Sequence, residues 1–214
     1  MTEGTPDLGK LYESEGVAEY VIPLFDKDYK GVCIDVGAYH SKWLSNSYPF
    51  EELGWTVWCI EPNPHCKEYL QDRPNFSNYA IGNRNENNVD FYIYKMGHGL
   101  NGEAGATGLI YNEQFDKGFG VMTTTKVDVR TLDWFLENVA KVEQVDYLAI
   151  DTEGTELDVL AGIDLARWNV KVIALENFND SASPKYNDIA LYLRNFGYKR
   201  VAEQIVFNEI YLKE

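Results

Sequence analysis

The loop after the first apolar run of this 214-residue chain lacks most of what a phosphate site needs. Residues 34–41 read IDVGAYHS, and Gly37 is followed by Ala38, Tyr39, His40, Ser41 and Lys42. Neither the second glycine that admits a pyrophosphate nor a G-K-[ST] segment follows Gly37, so the ligand of this loop carries no phosphate there. Cysteine is scarce: Cys33, Cys59 and Cys66 form no C-x-x-C pair, and no secretory apolar segment is apparent. A reducing cytoplasm is the expected setting, with all three thiols as small packing residues. Basic residues are outnumbered, 19 Lys and Arg against 34 Asp and Glu, for a net charge of −15. That balance opposes nucleic acid and anionic membranes as partners, because lipid and nucleic-acid phosphates are met by clustered Lys and Arg. No apolar stretch approaches the roughly 20 residues of a membrane span, so no membrane insertion is expected.

What is present suits one α/β domain over residues 1–214, with 45% hydrophobic and 14% aromatic residues to fill its core. A helical lead-in (residues 1–30) contains an amphipathic stretch at 11–22 that ends at Pro23. Buried strands are predicted at 31–36, 56–61, 78–82, 145–151 and 171–176 from short apolar runs. Helices are predicted through 45–53, from Pro64 to Leu70, from Thr131 to Val139, over 155–162 and over 187–195. Thr155 and Asp158 resemble a capping box for the 155–162 helix, with Gly162 as its stop. Residues 83–122 break the pattern as an insert or lid, with one strand at 89–94 and a glycine-rich stretch at 97–111. Residues 198–212 read as a closing β-hairpin. Strands alternating with helices imply a parallel sheet covered on both faces, with its ligand site at the edge where strands turn into helices.

Four segments in order, IDVGAYHS (34–41), CIEPNP (59–64), YAIGN (79–83) and AIDTEGTELDVLAG (149–162), are similar to the FkbM family of methyltransferases. TLDWFL (131–136), NFGYKRV (195–201) and NEIYL (208–212) extend the resemblance over roughly residues 30–212. It implies a class I methyltransferase fold: a Rossmann-like, mostly parallel sheet with an antiparallel C-terminal strand and helices on both faces. It also implies S-adenosylmethionine as cofactor, methyl transfer to a hydroxyl, and a sugar or glycan as acceptor. That cofactor carries a sulfonium and no phosphate, which agrees with the loop.

The resemblance places the methionine end of the cofactor against Asp35, Val36, Gly37, Ala38, Tyr39 and Ser41, with Asp35 fixing the ammonium. Tyr39, His40 and Ser41 stand where Asn and Gly are frequent in the family. Ser45 and Asn46 resemble a Ser-Asn-Thr pattern found in part of it and are candidates for the pocket or a helix cap. Glu61, at a strand end before Pro62 and Asn63, is the candidate acceptor of the ribose hydroxyls. Tyr79, Ala80 and Ile81 flank the adenine.

Asp151 ends the fourth main strand and is the candidate proton acceptor; Glu153 shares its turn, and Glu156 has the helix dipole to satisfy. His40 and His98 are further base candidates. Asp151, Glu176 and Asn177 offer oxygen ligands at two adjacent strand ends, a candidate Mg²⁺ or Mn²⁺ site. Residues 106–109, with Leu109, Ile110 and Tyr111, are a candidate cover for the acceptor. A nicotinamide-dependent oxidoreductase is disfavoured by the absent glycines. A non-catalytic adapter finds support only in the Tyr-His-Ser loop, and a nucleic-acid methyltransferase is opposed by the charge.

Overall fold

In the computed structural model, which describes residues 16–94, 106–177, 179, 183–205 and 207–214, the apolar runs become the middle strands of a sheet. The chain begins with α1 (Val17–Val21), β1 (Val32–Val36), α2 (Tyr48–Glu52), β2 (Thr56–Ile60), α3 (Lys67–Leu70), β3 (Phe76–Ser77) and β4 (Ala80–Ile81). It continues through β5 (Glu86–Tyr94), β6 (Ala106–Gly108), α4 (Glu113–Phe119), β7 (Val121–Arg130), α5 (Leu132–Phe135) and β8 (Tyr147–Ile150). It ends with α6 (Glu156–Ala161), α7 (Leu165–Trp168), β9 (Val172–Glu176), α8 (Asp188–Arg194), β10 (Tyr198–Ile205) and β11 (Asn208–Lys213). The main sheet runs β10-β11-β9-β8-β1-β2-β3. β3, β2, β1, β8 and β9 are parallel, and β11 reverses direction against both β9 and β10. This is the mostly parallel α/β sheet with a reversed C-terminal strand that the sequence implies.

Successive residues of a strand face opposite sides of a sheet, so each run feeds two cores. Ile34, Val36, Ile60, Leu148, Ile150, Ile173 and Leu175 pack with Phe135, Leu160, Trp168 and Leu193 from α5 to α8. Cys33, Cys59, Tyr147, Ala149 and Ala174 pack on the other face with Val17, Val21, Phe50 and Leu70 from α1, α2 and α3. The three cysteines are free and buried. Asp35 shares the alternation of Cys33, which turns its side chain toward α2 and α3.

Several expectations need correction. The strand expected at 78–82 is the two-residue β4, which pairs with β7 in a second sheet ordered β4-β7-β5-β6, while the strand that pairs with β2 is β3, just before it. The segment read as an insert ending at 122 therefore contains a helix, α4, and β7 runs through that boundary to Arg130. The second sheet has a small core of Ala80, Phe91, Ile93, Val127 and Val129, with Leu109 against it. The lead-in helix begins at Val17 and a 3₁₀ turn carries Pro23 in its first turn, a position where its missing N–H costs nothing; residues 11–15 lie outside the described residues. Thr155 precedes α6 without a side-chain cap, so the capping box does not form, while Gly162 does follow the last helical residue. Among the described residues no helix is long and apolar enough to cross a membrane.

Candidate functional site

β1 and β8 end side by side, and the Asp151 N–H donates to the Val36 carbonyl at 2.8 Å. The next residue, Gly37, has φ +88° and donates to the Ile60 carbonyl at 2.8 Å, which carries the loop over the end of β2. A Cβ on Gly37 would lie 1.7 Å from the Asp151 carbonyl oxygen. The close approach that this glycine permits is first of all to the chain's own backbone.

A cleft of about 370 Å³ opens here, lined by Gly37, Glu61, Pro62 and Asp151 from the main sheet's edge and by Ala80 and Ile81 of β4. Phe91, Thr107, Gly108 and Leu109 of the second sheet close its other side. Glu61 is buried, and its two carboxylate oxygens accept the Tyr39 N–H at 3.1 Å and the Asn63 N–H at 2.8 Å. Each oxygen keeps a lone pair for a further donor. Burial pushes the Glu61 carboxyl up to about 7; the two N–H groups oppose the rise and the charges of Asp151 and Asp35 add to it. The Asn63 side-chain amide nitrogen is buried without a hydrogen-bond partner among the described residues.

Other candidates face elsewhere. Asp35 lines neither this cleft nor the one described below: its carboxylate accepts the Ser47 hydroxyl, which also receives an Arg73 N–H at 3.2 Å. Arg73 pairs with Glu51 at 2.9 Å and donates to the Ser41 carbonyl at 2.8 Å, so Ser41 contributes its backbone to this buried network. Burial raises the Asp35 carboxyl despite Ser47 and Arg73. Arg73 and Ser47 escaped the sequence reading because their partners are far away in the chain. His40 accepts the Lys42 and Trp43 N–H groups on Nδ1, both at 3.0 Å, and its ring leans on Tyr69. It holds the loop's shape and lines neither this cleft nor the one described below. Tyr79 packs edge-on against Trp134 and under Arg130 and does not line the cleft, unlike Ala80 and Ile81. Val36 serves through its carbonyl, Ala38 is core, Tyr39 packs against Trp43, and Asn46 lines neither cleft. His98 lies outside the described residues.

A second cleft of about 570 Å³ adjoins the first through Gly108 and Thr155. Its other walls are Ile110, Tyr111, Asn112, Glu113, Glu153 and Gly154. Ile110 and Tyr111 are expected at such a place, as is Thr107 of the 106–109 segment, which lines the first cleft; Phe91 of that cleft is not, because its strand alternation signals only packing. Glu153 is presented at φ +57° by a turn that Glu156 clamps: one carboxylate oxygen of Glu156 accepts the N–H groups of Thr152 and Gly154 and the Thr152 hydroxyl, at 3.0 to 3.2 Å. Glu156→Ala is expected to cost about 2 kcal/mol, read as a lowered urea midpoint at unchanged slope.

Asp151, Glu153 and Glu176 bring ligand oxygens within 4.8 Å of one another at the junction of the clefts. Burial and the neighbouring charges of Asp151 and Glu153 raise the Glu176 carboxyl strongly. Asn177 does not join them: its side-chain oxygen accepts from Asn179 and its nitrogen donates to the Tyr186 carbonyl at 3.1 Å. Glu153 takes the place expected for Asn177.

The chain is 39% identical over 64 residues to "Methyltransferase 1" of Beauveria bassiana (strain ARSEF 2860), a match spanning 28% of this chain and 26% of the relative. Its fold is similar to the crystal structure of methyltransferase FkbM from Methylobacillus flagellatus KT, with a TM-score of 0.53 at 14% identity over 96% of this chain. The chain spans about half of that structure, 49%, and about a quarter of the Beauveria relative. The methyltransferase FkbM domain matches residues 35–200, most of the chain, and the chain belongs to the FkbM methyltransferase family.

Proposed function

We propose that the chain is an S-adenosylmethionine-dependent O-methyltransferase acting on a hydroxyl of a sugar or glycan. The observation that carries this reading is the meeting of two clefts at Gly108 and Thr155, with Asp151 on one side of the junction and Glu153 on the other. The first cleft is the cofactor's place: Glu61 offers acceptor oxygens for ribose hydroxyls, and Ala80, Ile81 and Phe91 offer apolar contact for a flat base. The orphaned Asn63 amide beside Glu61 fits a further polar ligand group. When bound, the cofactor supplies an electrophilic methyl group on sulfur.

The chain's own contribution is alignment and proton management. The second cleft combines the half-exposed Tyr111 ring with Asn112, Glu113 and Glu153, a mixture of one apolar face and several hydrogen-bond acceptors that suits a polyhydroxylated ring. An alcohol is a poor nucleophile while it holds its proton, and Asp151, in the first cleft beside the junction, would receive that proton as the acceptor oxygen takes the methyl group. A cytoplasmic setting accords with the three free cysteines.

The test is calorimetric titration with S-adenosylmethionine and S-adenosylhomocysteine, with NAD as control, followed by screening of sugar acceptors. Micromolar binding of both sulfur compounds is expected; binding of NAD alone would overturn the reading. Glu61 adds a signature in pH. Its carboxyl lies near 7 in the fold against 4.5 ordinarily, so the folded chain holds a proton there that the unfolded chain has lost. Stability without cofactor therefore falls by about 3 kcal/mol as pH rises from 4.5 to 7, relative to Glu61→Gln. Cofactor binding runs the other way, because ribose hydroxyls need the ionised acceptor: affinity should rise about tenfold between pH 6 and pH 8 and lose this slope in Glu61→Gln.

A further inference from the structure

The geometry points to a divalent-cation site formed by Asp151, Glu153 and Glu176, for a hard ion such as Mg²⁺ or Mn²⁺. Their ligand oxygens lie within 4.8 Å of one another, close enough for one ion to touch all three. A cluster of carboxylates alone would be a weak sign, but Glu176 adds an independent one. It is only 7% exposed at the end of β9, and its Oε2 has no hydrogen-bond partner among the described residues. A buried acceptor left without a donor costs free energy, and a carboxylate facing two others costs more. A proton shared between Glu176 and Asp151, or a cation in its place, must come between them.

The donors also select the kind of ion. All three are carboxylate oxygens, with no thiol or imidazole in the group, which favours Mg²⁺ or Mn²⁺ over Zn²⁺. β8 and β9 are adjacent and parallel, with Ile150 opposite Leu175, so the backbone fixes where Asp151 and Glu176 begin. The Glu156 clamp fixes the turn that carries Glu153. Asp151 also lines the first cleft and Glu153 the second, so the remaining coordination positions open onto the junction. An acceptor hydroxyl seated there becomes a ligand of the ion, which lowers its pKa and orients it. Asp151, the proton acceptor of the reading above, would take up the hydroxyl proton beside the ion. This role rests on the methyl-transfer reading, whereas binding of the ion does not.

The experiment separates the two. Chelator-treated protein without cofactor is titrated with MnCl2 and the free-ion signal followed by electron paramagnetic resonance. One Mn²⁺ per chain is expected, displaced by Mg²⁺. Glu176→Gln and Glu153→Gln should each weaken binding at least about tenfold, while Asp158→Asn, outside the cluster, leaves it unchanged. Glu153 is half-exposed in its turn, so its variant keeps the test open if the Glu176 variant does not fold. No saturable binding up to about 1 mM, or equal binding by wild type and both variants, would overturn the site. Mn²⁺ binding without S-adenosylmethionine binding would sustain the site and sink the methyl-transfer reading; cofactor binding in EDTA with no Mn²⁺ site would do the reverse.

Discussion

Gly37→Ala is expected to destabilise the fold by about 3–5 kcal/mol and to abolish cofactor binding. Two costs combine. The backbone at φ +88° is one that L side chains rarely adopt, and the added methyl would sit 1.7 Å from the Asp151 carbonyl oxygen. Neither partner can yield cheaply. Gly37 is tied to Ile60 and Asp151 to Val36 by hydrogen bonds of 2.8 Å, so relief means breaking the ends of β1 or β8. Gly154 provides the comparison: it has φ +104° but nothing within 4 Å of where an added methyl would sit, so Gly154→Ala should show the backbone cost alone, about 1–2 kcal/mol. Urea unfolding of the two variants measures the difference. Equal losses would mean that the turns after β1 and β8 are not packed backbone to backbone.

That contact shows what the sequence could and could not tell. The middle strands were legible because they are buried on both faces and read as unbroken apolar runs: 31–36, 56–61 and 171–176 enclose β1, β2 and β9 with at most a residue or two to spare. β7 was not, since Thr123, Thr124 and Lys126 are exposed while Val127 and Val129 turn inward. Its partner β4 contributes two residues, too few for any periodicity. In the site, Glu61 and Asp151 were readable as acidic residues at strand ends, where parallel sheets gather their ligands. Asp35 looked equivalent by the same logic. The alternation along β1 turns it toward α2 and α3, and only the three-dimensional pairing of Ser47 and Arg73 reveals what it does there. The placing of Asn177 and Glu153 was not legible for a similar reason. Which of two neighbouring strand-end residues faces the junction depends on turns whose geometry is set by contacts with Glu156, Asn179 and Tyr186.

Arg73→Ala is the second large effect, expected to cost about 3–5 kcal/mol. The side chain is 2% exposed, and its guanidinium binds the Glu51 carboxylate, the Ser41 carbonyl and the Ser47 hydroxyl at once. Truncation leaves Glu51 without its ion-pair partner and Asp35 buried with only Ser47. Arg73→Lys should recover a minor part, because an ammonium cannot reproduce the planar fork that meets three acceptors. The loss also has a pH sign. The Asp35 carboxyl already lies above its ordinary 3.8 in the fold, and removing Arg73 lifts it further. A raised folded-state pKa stabilises below the unfolded value and loses that stabilisation as pH climbs through the folded one. The penalty of Arg73→Ala should therefore be smallest in acid and grow toward neutrality. Asp35→Asn removes the charge that Arg73 answers. In a double-mutant cycle the two substitutions should fall short of additivity by about 1–3 kcal/mol. Strict additivity would mean that Arg73 acts only through Glu51 and the loop carbonyl. Coupling would make Asp35, near the end of β1, a brace that ties the strand to residues 38–47 through Ser47 and Arg73.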